Sequence, residues 1–387
     1  DRQTDRQTDR QTDRQTDRRN SSLELLRIIA MVIIIAHHFG VHGINPYFHT
    51  SFDGLSWSIH DLPWQYIFTQ FMCWGGNLGN SIFILITGYF MINRRMNYKK
   101  ILSLLGALFF YSWIIALILY GTHLIPFSPK NLIKSLIPIW IGANWFVSCY
   151  IIFSLFIPFF NYFLNRISRQ SYVTFLVIFY SIFLLLPAFK FQSFMGGGGI
   201  PFFMLVYAIG GYIRLYGNEY TRRGSYFYLR KAGICIACII FVVAASIIAG
   251  GVLHKFNLME GSNGRITFLQ VPLAAFLFMS FLTMKPFYSN AVNRLAGTML
   301  GVYLIHDNDL MRPFIWHQLF PNIDFIYSNG YVAFYAAKVL CVLVVCIGIE
   351  LLRKKLIEPL IMKYIDRYYS SLEQKVSQVM SKCANFW

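Results

Sequence analysis

An arginine and a histidine stand inside one apolar run, Leu25-Leu26-Arg27-Ile28-Ile29-Ala30-Met31-Val32-Ile33-Ile34-Ile35-Ala36-His37-His38. Ionisable side chains in an apolar segment are costly and mostly functional. At ~100° and ~1.5 Å per residue, a helix leaves Arg27 and His38 only ~20° apart around its axis and ~16 Å apart along it. His37 falls ~100° off that line. One helix face thus carries a fixed cation near one end and a titratable base near the other. Glu24, three residues before Arg27, stands where an i,i+3 ion pair can hold it.

The elements that position this face are membrane helices. The 387-residue chain is 56% hydrophobic and 18% aromatic with only 13% charged residues, which no soluble domain matches. Its net charge of +17 has a source other than nucleic acid. Polytopic chains collect Lys and Arg in cytoplasmic loops, and no basic patch here is interleaved with exposed aromatics, so nucleic-acid binding is not expected. The seven cysteines form no framework, and Cys235-x-x-Cys238 inside an apolar run reads as buried small hydrophobes. No His-x3-His or Glu-x-x-His pair falls on one helical face with further ligands, so no metal is expected. No phosphate loop or dinucleotide fingerprint occurs.

Ten apolar segments can be drawn, at roughly 23–41, 71–92, 101–121, 134–164 (with a break near Gly142-Ala143-Asn144), 172–189, 199–216, 232–253, 266–283, 291–306 and 331–352. The expected fold is an all-α polytopic bundle of about ten transmembrane helices. Gly196-Gly197-Gly198-Gly199 forms a flexible entry to the sixth segment, and Gly210-Gly211 allows close packing late in it. Basic residues alternate from loop to loop. Arg94, Arg95, Lys99 and Lys100 lie in one set of loops, with Arg166, Arg169, Arg214, Arg222, Arg223, Arg230, Lys231, Lys285, Arg294 and Arg353-Lys354-Lys355. Residues 42–70 have no Lys or Arg, and 307–330 have only Arg312. Both termini are therefore expected in the cytoplasm, with Arg27 near that face and His38 near the outer one.

Residues 1–18 repeat Asp-Arg-Gln-Thr, and 1–20 are expected to be a disordered segment before a membrane domain at 21–352 and a basic cytoplasmic tail at 353–387. The codons GAC-AGA-CAG-ACA encode this tetrapeptide as a repeat of the four bases GACA. Such a tract changes frame by slippage, so phase variation of expression is a hypothesis. A tract of constant length in single colonies would count against it. An upstream region included in the reading frame is the plainer source of the repeat.

Four motifs in order resemble the acyltransferase-3 family of integral membrane O-acyltransferases. Leu23-Glu24-Leu25-Leu26-Arg27 leading to His38 is similar to the family's Arg-x10-His. Gly79-Asn80-Ser81-Ile82-Phe83-Ile84-Leu85-Ile86-Thr87-Gly88-Tyr89-Phe90 is similar to its Phe-rich run closing in Ser-Gly-Tyr. Asn144-Trp145-Phe146 opens a span, and Gly301-Val302-Tyr303-Leu304-Ile305-His306 lies near the C-terminus. The resemblance covers about residues 21–358. The family's cytoplasmic Arg-x-x-Arg is missing, and Arg94-Arg95 with Lys99-Lys100 occupy its region.

The resemblance implies transfer of an acyl group, acetyl foremost, from acyl-CoA to a hydroxyl of a surface polysaccharide, lipopolysaccharide or capsule, or of a lipid-linked glycan, at the bacterial cytoplasmic (inner) membrane. His38 becomes a general base for the acceptor hydroxyl, or alternatively the site of an acyl-imidazole. A histidine meeting headgroups at a helix end is the plain alternative. Arg27 becomes a cation for the donor's phosphates or thioester end, against a snorkelling anchor. Arg94, Arg95, Lys99 and Lys100 are either CoA contacts or topology determinants. Asn144 and Trp145 either bind a sugar or belong to an interfacial aromatic belt. Tyr303 and His306, with Asp307 and Asp309, either contact the acceptor or open a polar loop. Acetyl-CoA enters as donor substrate; no resident cofactor is expected. A transporter of lipid-linked sugars, or a non-catalytic partner in glycan assembly, would share the bundle and its basic loops.

Overall fold

The computed structural model describes residues 20–52, 59–141, 144–189, 199–260, 265–319 and 324–369, mostly helical, with no strand among them. The Asp-Arg-Gln-Thr repeat, the Gly142-Ala143 break, most of the Gly196–Gly199 run and the end of the tail lie outside these residues. The principal helices are α1 (Ser21–His38), α2 (Trp64–Met72), α3 (Gly75–Met91), α4 (Tyr98–Gly121), α5 (Trp145–Arg166), α6 (Arg169–Tyr180), α7 (Ile200–Tyr216), α8 (Gly224–Val252), α9 (Thr267–Thr283), α10 (Asn290–Ala296), α11 (Met299–His306) and α12 (Tyr331–Leu356).

Among the described residues, six helical stretches are long and apolar enough to cross a membrane: 21–51, 98–121, 145–166, 169–188, 224–252 and 331–356. Helices α7 and α9 are shorter apolar helices. The ninth expected segment is two short helices, α10 and α11, parted at Gly297-Thr298. That break lets α11 sit deep inside the bundle, where seven of its eight residues are buried.

Helix α1 starts because the Asn20 side chain accepts from the Ser22 N–H, satisfying one donor of the first turn. It does not stop at His38. A π-helical stretch over Phe39–Ile44 carries the chain into a further helix, Asn45–Phe52. Such widened turns are frequent at functional sites, because they re-aim the side chains around them. Here the turn brings His42 onto the His38 side, with ring centroids 5.5 Å apart.

Helix α3 packs against α1, α7 and α9, and α1 also packs against α10, α11 and α12. Lipid offers no hydrophobic drive between helices, so close backbone approach must supply the packing. A Cβ at Gly79 would stand 2.8 Å from the Ala30 carbonyl oxygen of α1, and one at Gly210 would stand 2.3 Å from that of Leu85. These glycines set the depth of α1 and α7 against α3. At the periphery the cysteine expectation needs correction. Cys235 is half-buried and Cys238 exposed.

The two ends of the bundle separate by charge. At one end the Ser21 N–H donates to Phe287, Lys354 donates to Gly297, Lys99 pairs with Asp366 and Arg169 pairs with Glu219. At the other, His49 pairs with Glu260, Gln65 donates to Ser328 and Asn144 donates to Asp307. Ser21 and the helix at 358–369 therefore lie at the same, basic end.

Candidate active site

His38 sits at the end of α1 in a cluster with His37, His42, His306 and Asp307. His38 is 7% exposed, while His306 and Asp307 are fully buried. The hydrogen bonds fix the proton positions. His306 Nδ1 lies 2.7 Å from the Val302 carbonyl oxygen, which can only accept, so Nδ1 carries the proton. In the neutral ring Nε2 is then a lone pair. That nitrogen faces His38 Nδ1 at 3.0 Å, so His38 Nδ1–H donates to it. The chain of two bonds leaves His38 Nε2 as the lone pair available to take a proton.

Asp307 supplies the matching charge. Its Oδ1 is 3.5 Å from His38 Nδ1, close enough to stabilise the imidazolium formed on proton uptake. A lone buried carboxylate would be costly. Arg312 answers it with Nη2 at 2.7 Å and Nε at 2.8 Å from the same oxygen. Asn144 donates to the Asp307 backbone oxygen at 3.3 Å, which fixes the turn that follows α11. Burial opposes the charge on Arg312, and Asp307 and Asp309 outweigh it and push its pKa up. Burial likewise raises the Asp309 carboxyl, against the pull of Arg312 and Lys134.

His37 is held differently. Its Nδ1 donates to the Cys73 carbonyl oxygen at 2.5 Å, and its ring lies on Gly76, where a Cβ would approach Nε2 to 2.7 Å. It packs beside His38 with its proton committed elsewhere. Tyr303 meets His38 edge-on at 6.2 Å, and Phe146 lies against Tyr303 at 5.4 Å.

Among the expected acceptor contacts, Asn144, Tyr303 and His306 are buried here and order the histidine cluster. Trp145 alone of the four is half-buried and open to a ligand. The metal expectation needs a correction too. His38 and His42 form a His-x3-His pair, and Asp307 brings a third ligand atom within 4.8 Å of theirs. Sequence spacing missed this, since Asp307 lies far along the chain. Arg312 occupies Oδ1 of Asp307 and His306 holds His38 Nδ1, so within this set His38 Nε2 and Asp307 Oδ2 are the atoms left to a ligand.

At the basic end, Arg27 Nη1 is 3.3 Å from both oxygens of Glu24, and the arginine side chain is 22% exposed. Lys99 and Lys100 line a cavity of about 450 Å³ between α4, α11 and α12. Arg94 and Arg95 are exposed in the loop before it and do not line it. Arg27 lies outside that lining as well.

The residues that sequence reasoning did not single out are Glu350, Tyr111 and the placement of Arg353. Tyr111 donates to Glu350 at 2.5 Å, and Arg353 grips both oxygens of Glu350 at 2.7 and 2.9 Å. The signal was present: a Glu-x-x-Arg in the last span repeats the Glu24-x-x-Arg27 spacing of the first. It read as part of a basic helix end.

Helices of membrane-crossing length, with an ionisable cluster buried at one end and a basic cavity at the other, define a multi-pass membrane protein. The model of an acyltransferase domain matches residues 20–351. The chain belongs to the acyltransferase-3 family and is a membrane acyltransferase. No curated protein and no solved structure matches it.

Proposed function

We propose that the protein moves an acetyl group from acetyl-CoA on the cytoplasmic side of a bacterial inner membrane to a hydroxyl of a surface polysaccharide or lipid-linked glycan. The observation that carries this reading is the Val302–His306–His38 hydrogen-bond chain, which leaves His38 Nε2 as a base with Asp307 beside its ring. The acceptor hydroxyl gives its proton to Nε2 as its oxygen attacks the thioester carbonyl. The carbon–sulfur bond then breaks, and the departing thiolate takes the proton from the imidazolium, so CoA leaves as the thiol. Asp307 offsets the charge that His38 carries between these two transfers.

Arg27, oriented by Glu24, and Lys99 and Lys100 attract the anionic donor at the cytoplasmic end, with Arg94 and Arg95 adding to the field over the entrance. Trp145 stacks on the acceptor sugar at the outer end. The donor enters from one side and the polymer stays on the other. The test compares cells carrying wild-type protein, His38→Ala protein and no protein. Glycan mass spectra should gain one acetyl increment per modified unit with wild type only, and mild alkali should release it. Full acetylation by the alanine variant would overturn the mechanism. Identical glycans in all three would turn the reading toward a transporter.

A further inference from the structure

The cavity at the basic end has the chemistry of a diphosphate site. Arg353 is 6% exposed, and its Nε and Nη2 are held by Glu350 and Glu358. Its Nη1, fully buried, has no hydrogen-bond partner. A buried guanidinium N–H without a partner costs free energy that an arriving oxygen anion would recover. Arg353 lines the cavity with Lys99, Lys100 and Lys354. Glu350 and Glu358 are engaged by Arg353 and Asp366 by Lys99, while Lys100 and Lys354 have no carboxylate partner among the described residues.

A second feature points the same way. Asn97, Lys99 and Lys100 form the start of the 24-residue helix α4, and they line the cavity too. The positive end of a long helix, with its unpaired N–H groups, therefore opens on the same space. The cavity continues along α11 at Gly301 and Leu304. His306, two residues beyond Leu304, holds His38. From Gly297 to His306 the path is on the order of 14 Å at helical rise.

We infer that this cavity binds the diphosphate of the acyl-CoA donor, with Arg353, Lys100 and Lys354 on the phosphate oxygens and the pantetheine arm rising along α11 toward His38. This rests on the proposed function and moves the phosphate anchor from Arg27 to the last helix. Gly301 has its place in the arrangement: a Cβ there would stand 2.1 Å from Glu350 Cδ, so only glycine lets α11 lie against the Glu350–Arg353 pair.

The test uses the purified full chain in detergent micelles, with affinity for CoA, pantetheine and inorganic pyrophosphate measured by calorimetry. Wild type should bind CoA, bind pantetheine much more weakly, and lose CoA to pyrophosphate. Lys100→Gln/Lys354→Gln should bind CoA about tenfold more weakly, with pantetheine unchanged. Arg353→Lys should cost about tenfold, since it keeps the charge and loses the fork. His38→Ala should bind CoA as wild type does while losing transfer. Thermal melting of each variant separates binding loss from misfolding, and the lysine pair, which holds no buried salt bridge, serves if Arg353→Lys does not fold. Unchanged CoA affinity in the folded lysine variant would overturn the site alone. No CoA binding by wild type or His38→Ala would overturn the proposed function with it. Displacement of CoA by phosphatidylglycerol micelles but not by pyrophosphate would assign the cavity to a lipid headgroup and also overturn the site.

Discussion

The histidine end and the basic end of this bundle solve different problems. At the histidine end every group has one position: His306 on Val302, His38 on His306, Asp307 between His38 and Arg312. At the basic end several cations share one open cavity, and Arg353 is the one gripped by two carboxylates among the described residues. The two Glu-x-x-Arg pairs show the same contrast. Glu24 and Arg27 meet at 3.3 Å with the arginine half-buried, whereas Glu350 grips Arg353 through two bonds of 2.7 and 2.9 Å and takes a third from Tyr111. Proton transfer needs one nitrogen at one point, and a misplacement of ~1 Å can cost about a hundredfold. Holding phosphates needs summed charge, which neighbours can share.

The sharpest way to break the contrast is at His38. His38→Ala should lower transfer by about a thousandfold, within the range of general-base contributions, with folding intact by thermal melting. A loss under tenfold would remove the histidine end from the chemistry. Asp307→Asn keeps the shape and removes the charge, leaving Arg312 with Asp309 as its remaining carboxylate. Loss of a charge-assisted contact costs ~1.5–3 kcal/mol, so transfer should fall roughly ten- to a hundredfold in kcat, with the donor KM unchanged. Activity should also rise with pH, because only the neutral His38 accepts a proton. A KM effect without a kcat effect would place Asp307 with the binding groups instead.

Gly301→Ala sharpens the comparison at the point where the two ends join. The added methyl would collide with Glu350 and push α11 away from α12. Because α11 carries both the cavity wall and His306, this change should disturb both functions, raising the donor KM and lowering kcat several-fold each. An effect on KM alone would mean that the cavity moves independently of the histidines.

The spacing of Arg27 and His38, the helical segments and the grouping of basic loops were legible because each rests on local periodicity or on charge composition. The break at Gly297-Thr298 is also local, yet it was hidden inside one apolar segment. What could not be read were the pairings across the chain. Asp307 reads as a loop start until the fold sets it beside His38, and Arg353 reads as a topology signal until Glu350 and Tyr111 enclose it. Asn144 and His306, read as sugar contacts or as belt and loop residues, are buried and bond within the cluster, since a buried carboxylate and a buried imidazole each require partners. Burial and long-range pairing are set by which helix faces meet, and a single sequence does not state that.

The smallest effect is the most telling about the basic end. Lys100→Gln alone removes one of several cations from a cavity that Lys99, Lys354 and Arg353 also line. Lys100 is exposed and has no carboxylate partner among the described residues, so its loss strands no buried charge. A single exposed charge contact is worth ~0.2–1 kcal/mol, and the donor KM should rise only about two- to fivefold with kcat unchanged. Raising the ionic strength should shrink the difference between Lys100→Gln and wild type, because an exposed charge is screened. His38→Ala should show no such salt dependence. If Lys100→Gln instead cost as much as His38→Ala, the cations at this end would not be sharing the load, and the distinction between a fixed end and a shared one would fail.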